Sequence, residues 1–207
     1  AFVGSRRTMY MFQPAIGSFY EGIQYGHKEL LSARDPWSGY IHYDPVLYML
    51  AHITQFAKTG WENDTNTNGI WRVLPNATFA SFGASDNEHA TAGIDSSASY
   101  MTLAAPDKKN FSTVFINNTR NEKTFAIKVA DDMDISVKAL HVWTTVTDSY
   151  LQKGEDAAIE NGIATITVPA YSVVTATTLD TTPARFPTEK DDGDYIQTGT
   201  RSVLDTD

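Results

Sequence analysis

There is no cysteine in the 207 residues, which removes disulfides, zinc–thiolate centres and thiol nucleophiles from consideration. No apolar run approaches the ~20 residues that a membrane-spanning helix needs. Basic residues are in deficit: 16 Lys and Arg stand against 25 Asp and Glu, a formal net charge of -9. A nucleic-acid binder would present a basic face instead. Histidine is sparse, at positions 27, 42, 52, 89 and 141, and nowhere in metal-ligand spacing such as H-E-x-x-H. His52 falls on an expected helix and His141 on an expected strand, where packed or surface roles are the ordinary reading. Neither a phosphate-binding glycine loop nor a G-x-S-x-G elbow occurs, and the scattered histidines give no expectation of a metal site.

What is present is globular: 42% of residues are hydrophobic and 12% aromatic, enough for one good core or one domain plus a piece of another. The first sixty residues have βα texture. Met9 to Gly17 is a nearly continuous apolar run of the kind buried on both faces of a parallel sheet, with Pro14 implying a bulge or an early end. Gly17 to Tyr25 can hold a helical turn, and Glu29 to Arg34 is a second short strand. The clearest helix follows. Asp44 is placed to cap it and Pro45 suits its first position. Val46, Leu47, Leu50, Ile53, Phe56 and Ala57 recur at helical spacing, and Gly60 lies just past the end.

From about Ser96 the pattern changes to short runs broken by polar turns. Ser99 to Ala105, Phe111 to Asn117, Thr124 to Ala130, Ile135 to Thr144, Ala164 to Val168 and Ser172 to Leu179 read as strands of an antiparallel sandwich or barrel. Trp61 to Asp95 is mixed, with Trp71, Phe79 and Phe82 expected in strands or packed loops. The stretch from Pro183 is polar and acidic and reads as a linker. The division expected is therefore 1–61, 62–182 and 183–207.

Four N-x-Ser/Thr sequons begin at Asn63, Asn76, Asn110 and Asn117. A chain rich in Ser and Thr produces such triplets by chance, yet all four fall in turns or strand edges where a glycan can be carried. They point to a secreted chain. Ala1-Phe-Val-Gly-Ser-Arg-Arg7 lacks the order of a signal peptide and reads as the cut end of something longer.

The chemically informative stretch is Tyr20 to Tyr43. Two strand ends are followed by loops dense in Tyr20, Tyr25, Arg34, Asp35, Trp37, Ser38, Tyr40 and Tyr43. Residues just after strands form the active face of a (β/α)8 barrel. Flat aromatic faces suit the C–H surfaces of sugars, and Arg, Asp and Ser hydrogen-bond hydroxyls. Asp35-Pro-Trp-Ser-Gly39 is equally what a turn looks like when Trp37 plugs a barrel rim. Composition alone does not separate the two readings.

Tyr20-Glu21, Tyr25-Gly26, Asp35-Pro-Trp-Ser-Gly39, Pro45, Ala51-His52, Thr54-Gln55-Phe56 and Gly60-Trp61, in this order and spacing, resemble glycoside hydrolase family 59, the galactocerebrosidase-like family. The resemblance covers the seventh and eighth barrel strands and the last helix. Thr165 to Leu179 resembles the closing strands of the β-sandwich that follows the barrel, and Phe186 to Asp192 resembles the link to a lectin-like domain. The implied fold class is mixed: the C-terminal part of a (β/α)8 barrel followed by an antiparallel β-sandwich.

The resemblance implies retaining hydrolysis of a β-linked galactose-like sugar without a cofactor. The family's two catalytic Glu residues stand on strands that would precede Ala1, so neither is expected in this chain. The remainder of the barrel, as an N-terminal segment or a second chain, and a carbohydrate or glycolipid substrate become the implied partners. One local carboxylate pair, Glu21 and Asp35, follows consecutive strands, and neighbouring strands lie about 4.8 Å apart against the ~5 Å that retaining hydrolysis requires, but two strands cannot close a barrel around the pair. Carried over residue by residue, Gln13 stands where the family has a sugar-contacting Trp. Tyr25 matches a rim Tyr, and Trp37 and Ser38 match the loop after the eighth strand. Lys128 lies nearest to an Arg that the family's sandwich extends into the pocket, and would lose its bidentate geometry. The alternative reading is a non-catalytic carbohydrate-binding or structural extracellular β-sandwich glycoprotein.

Overall fold

The computed structural model describes residues 14–18, 29–33, 40–57, 70–80, 98–184 and 186. The chain divides into two compact units: Met11–Leu47 with Arg185–Asp207, and Ala1–Tyr10 with Tyr48–Ala184.

In the first unit, β1 (Ile16–Ser18) pairs in parallel with β2 (Leu31–Ala33), Ile16 opposite Leu31 and Ser18 opposite Ala33. The parallel pair is what an apolar, βα-textured segment is expected to form. β3 (His42–Tyr43) adds antiparallel on the other side of β2, and the Tyr43 ring packs 5.4 Å from that of Phe186. Helix α1 (Pro45–Thr54) starts in this unit where Asp44-Pro45 predicts, and from Tyr48 onward belongs to the second. The Asp44 carbonyl accepts from the Leu47 N–H at 2.9 Å, but its carboxylate accepts from the Ser32 hydroxyl at 2.6 Å. The regular helix ends at Thr54, and hydrogen bonds from Gln55 to Ala51 and from Phe56 to Ile53 tighten its exit.

In the second unit the strands are β4 (Arg72–Val73), β5 (Ser99–Ala104), β6 (Phe111–Asn117), β7 (Lys123–Lys128), β8 (Ala139–Val146), β9 (Ser149–Lys153), β10 (Ala157–Glu160), β11 (Ile163–Val168) and β12 (Ser172–Thr177). Among the described residues they form one nine-stranded sheet in the order β4-β5-β6-β12-β8-β10-β11-β7, with β9 also on β8. Every pairing is antiparallel. β6 and β7 are far apart along this ladder, yet the rings of Phe115 and Phe125 lie 4.8 Å apart. The sheet therefore curls on itself. Phe115, Leu140, Ile166, Val168 and Val174 fill the space it encloses, each at most 2% exposed.

β12 is buried at every position because both of its faces are covered. One face meets the enclosed core. On the other, Phe56 packs 5.8 Å from Trp143 of β8, and the Ser112 hydroxyl of β6 donates to the Phe56 carbonyl at 2.5 Å.

Three expectations for this sheet need correction. Ile135 to Lys138 carries no ladder, although Ile135 packs against the core. The alternation there reports burial without strand pairing. β9 and β10 were not expected. Positive φ angles at Asp148 and Leu151 interrupt the alternation around β9, and Ala157-Ala-Ile-Glu160 has a single strand-preferring residue, Ile159, among helix-preferring Ala and Glu.

Candidate functional site

The register of β1 and β2 aligns their C-terminal ends, Ser18 beside Ala33. The segments 19–28 and 34–39 thus leave the same end of a parallel pair, the end that carries chemistry in a barrel. Glu21 and Tyr25 belong to the first segment, and Asp35, Trp37 and Ser38 to the second. These five residues, together with Gln13 and Asn63, lie outside the described residues.

Among the described residues of this unit, the built polar feature is Glu29, Ser32 and Asp44. Glu29 is 2% exposed and Ser32 1%. The Ser32 Oγ lies 2.6 Å from Asp44 Oδ2 and 3.1 Å from Glu29 Oε1. Its single proton goes to one carboxylate at a time, and the shorter contact favours Asp44. A Cβ added at Gly17 would come within 2.8 Å of Glu29 Cδ, so glycine lets β1 pass under the carboxyl group. Glu29 precedes β2, on the side away from its C-terminal end. Burial there and the Ser32 contact make it a brace for the strand pair. The sequence signal for this cluster is a Glu directly before the apolar pair Leu30-Leu31, with a Ser three residues on.

In the sheet unit, Lys128 ends β7 and is exposed. It lines a cleft of about 480 Å³ whose other walls come from β4, β5 and the 3-10 turn Pro75–Ala77. The cleft lies between the two ends of the ladder, β4 and β7, and its surface is mainly apolar, with Leu74, Phe111, Ile127 and Met133 among the contributors.

His52 is fully buried. Its Nδ1 lies 2.8 Å from Thr175 Oγ1 and its Nε2 2.7 Å from Thr145 Oγ1. The Thr175 hydroxyl donates its proton to the His52 carbonyl at 3.2 Å, which favours the tautomer with the proton on Nδ1 and leaves Nε2 to accept from Thr145. Burial lowers its pKa to about 4. The packed reading of this histidine is the one observed. Elsewhere, hydrogen bonds from Lys153 and His141 hold the Asp156 carboxyl below its usual range. Among the described residues no three His, Asp or Glu side chains gather as metal ligands, and no helix is long and apolar enough to cross a membrane.

Asn117, which begins one of the four sequons, is enclosed by the sheet. It is 1% exposed, and its amide nitrogen shares two hydrogens among the carbonyls of Asn121, Val168 and Pro169, at 2.8–3.1 Å.

Residues 1–55 match the sequence profile of Glycosyl hydrolase family 59. The chain is similar to galactocerebrosidase of Danio rerio, 35% identical over 60 residues, covering 29% of this chain and 9% of that protein. It is also similar to galactocerebrosidase of Salmo salar, 24% identical over 173 residues, covering 80% of this chain and 24% of that protein. The matches thus span at most about a quarter of these relatives' lengths. Among solved structures, a glycoside hydrolase family 30 subfamily 8 xylanase from Clostridium acetobutylicum aligns at TM-score 0.48 and 14% identity, over 72% of this chain and 30% of that one. The catalytic domain of a family 30 xylanase from Talaromyces cellulolyticus aligns at TM-score 0.41 and 15% identity, over 72% and 27%. Residues 1–55 of this chain carry the sequence pattern of glycosyl hydrolase family 59.

Proposed function

We propose that this chain is the C-terminal portion of a retaining glycoside hydrolase resembling galactocerebrosidase, acting on a β-linked galactose-like sugar in a secreted or lysosomal-type compartment. The observation that carries the reading is the coincidence of the family 59 match over residues 1–55 with a parallel strand pair ending in register. The aromatic and polar segments after those strands then line one wall of a sugar pocket. Gln13, Tyr25, Trp37 and Ser38 contact or shape the sugar site. The nucleophilic and acid/base Glu residues come from barrel strands outside this chain. β4 to β12 correspond to the β-sandwich that follows the barrel in this family, and Lys128 stands nearest in sequence to the Arg that the family's sandwich extends toward the sugar.

The test is purification of the native material, with intact mass, denaturing separation and turnover of a chromogenic β-galactoside. The expected result is turnover by material that contains a further polypeptide segment bearing two strand-end Glu residues. A single inactive species of this chain's own mass overturns the proposal. It would favour a non-catalytic carbohydrate-binding or structural module, a reading to which the sheet's self-contained core lends support.

A further inference from the structure

The three described sequons are not equivalent. An N-glycan is added to a chain before it folds, so an acceptor must remain exposed in the finished fold. Asn117 fails this condition. Besides its three carbonyl contacts, its Oδ1 accepts from the Thr119 N–H at 3.1 Å and from the Thr119 hydroxyl at 2.7 Å. Both partners belong to its own triplet, so this sequon is a side-chain turn that ties the end of β6 to the β11–β12 connection. At Asn110 the Oδ1 accepts from the Thr178 hydroxyl at 3.1 Å, and the residue is half-buried.

Asn76 is different. It is the middle residue of the 3-10 turn Pro75–Ala77, exposed, and faces the open space of the cleft. Among the described residues its side chain has no hydrogen-bond partner. The turn is held independently of it: Pro75 fixes one backbone angle, the Ala77 N–H donates to the Leu74 carbonyl at 3.1 Å, and the Thr78 hydroxyl accepts from the Thr102 N–H at 3.2 Å. An attachment at Nδ2 therefore costs the fold no contact.

We propose that Asn76 is an N-glycan acceptor of this chain and that Asn117 is not, an inference that rests on the secretory or lysosomal-type compartment proposed above. The co-reactant is an oligosaccharide carried on a lipid pyrophosphate. A bond forms between Asn76 Nδ2 and the anomeric carbon. The anomeric carbon–oxygen bond breaks, the lipid pyrophosphate leaves with its electron pair, and the amide gives up one proton.

The experiment expresses the 207-residue chain behind a heterologous signal peptide in a eukaryotic host. Secreted chain is deglycosylated with peptide N-glycosidase in ¹⁸O-water, and each Asn is read by mass spectrometry. The expected result is ¹⁸O-aspartate at position 76 and unmodified Asn117. An Asn76→Gln variant should be secreted at wild-type yield and lighter by one glycan. An unlabelled Asn76, or a labelled Asn117 in the secreted fraction, overturns the inference. Native material is read in parallel. Asn76 labelled in the host but bare in the native protein would overturn the compartment reading and, with it, the modification of the native chain, while leaving the acceptor geometry intact.

Discussion

The strand pair β1–β2 and the curled sheet β4–β12 encode their structures differently. The family match is confined to residues 1–55, where three short strands are described. The sheet is far more elaborate, and the similarity to the Salmo salar galactocerebrosidase that reaches into it holds only 24% identity over 173 residues. In the first region particular side chains are needed: a glycine where Glu29 passes over β1 and a serine between two carboxylates. In the sheet an inward position needs only to be apolar and of suitable size, a requirement many residues meet. Recognition thus rests on the smaller region, and stability on the larger.

Breaking the sheet should have the largest effect. Phe115→Ala removes a ring that is 2% exposed and packed on Phe125. It should lower the stability of the sheet unit by about 3–5 kcal/mol, read as a shifted urea midpoint. Acid should come next. His52 has a folded pKa near 4 against an ordinary value of about 6.5. As pH falls, the unfolded chain takes up this proton first. The contribution is therefore complete above about pH 6.5, declines as pH falls, and is gone below about pH 4, a loss on the order of 3 kcal/mol. His52→Asn should flatten the profile between those limits, and urea titrations at several pH values measure it.

Gly17→Ala sharpens the comparison from the other side. The added methyl meets the Glu29 carboxyl group and should cost about 1–3 kcal/mol. Hydrogen exchange should show faster opening of β1 and β2 with the sheet's protection unchanged. Smallest of all is Asp132→Ala. The Lys108–Asp132 pair, at 2.6 Å, is exposed at both ends, and solvent screens it. No measurable change in the unfolding midpoint is expected.

Much of this architecture is legible in the residues. Asp44-Pro45 marks the start of α1, and the runs at Ser99, Phe111, Ala164 and Ser172 lie in β5, β6, β11 and β12. These elements combine regular periodicity with clear turn chemistry at their ends. Legibility fails where a tertiary contact decides. The Asp44 carboxylate goes to Ser32, twelve residues away in sequence. β9 and β10 exist because β8 offers them an edge. Asn117 reads as a sequon because the triplet is local, whereas its carbonyl partners at Val168 and Pro169 are fifty residues distant. The aromatic segments of the candidate site are legible as residue types at strand ends. Their geometry lies outside the described residues.

The central claim is that this chain supplies part of a glycosidase and neither of its catalytic carboxylates. The most direct test is hydrolysis of a chromogenic β-galactoside by the purified 207-residue chain alone, beside its Glu21→Gln and Asp35→Asn variants. The account predicts no turnover above buffer for any of the three. Turnover by the unaltered chain that either substitution abolishes would contradict it, and would place the reacting pair on the two segments that follow β1 and β2.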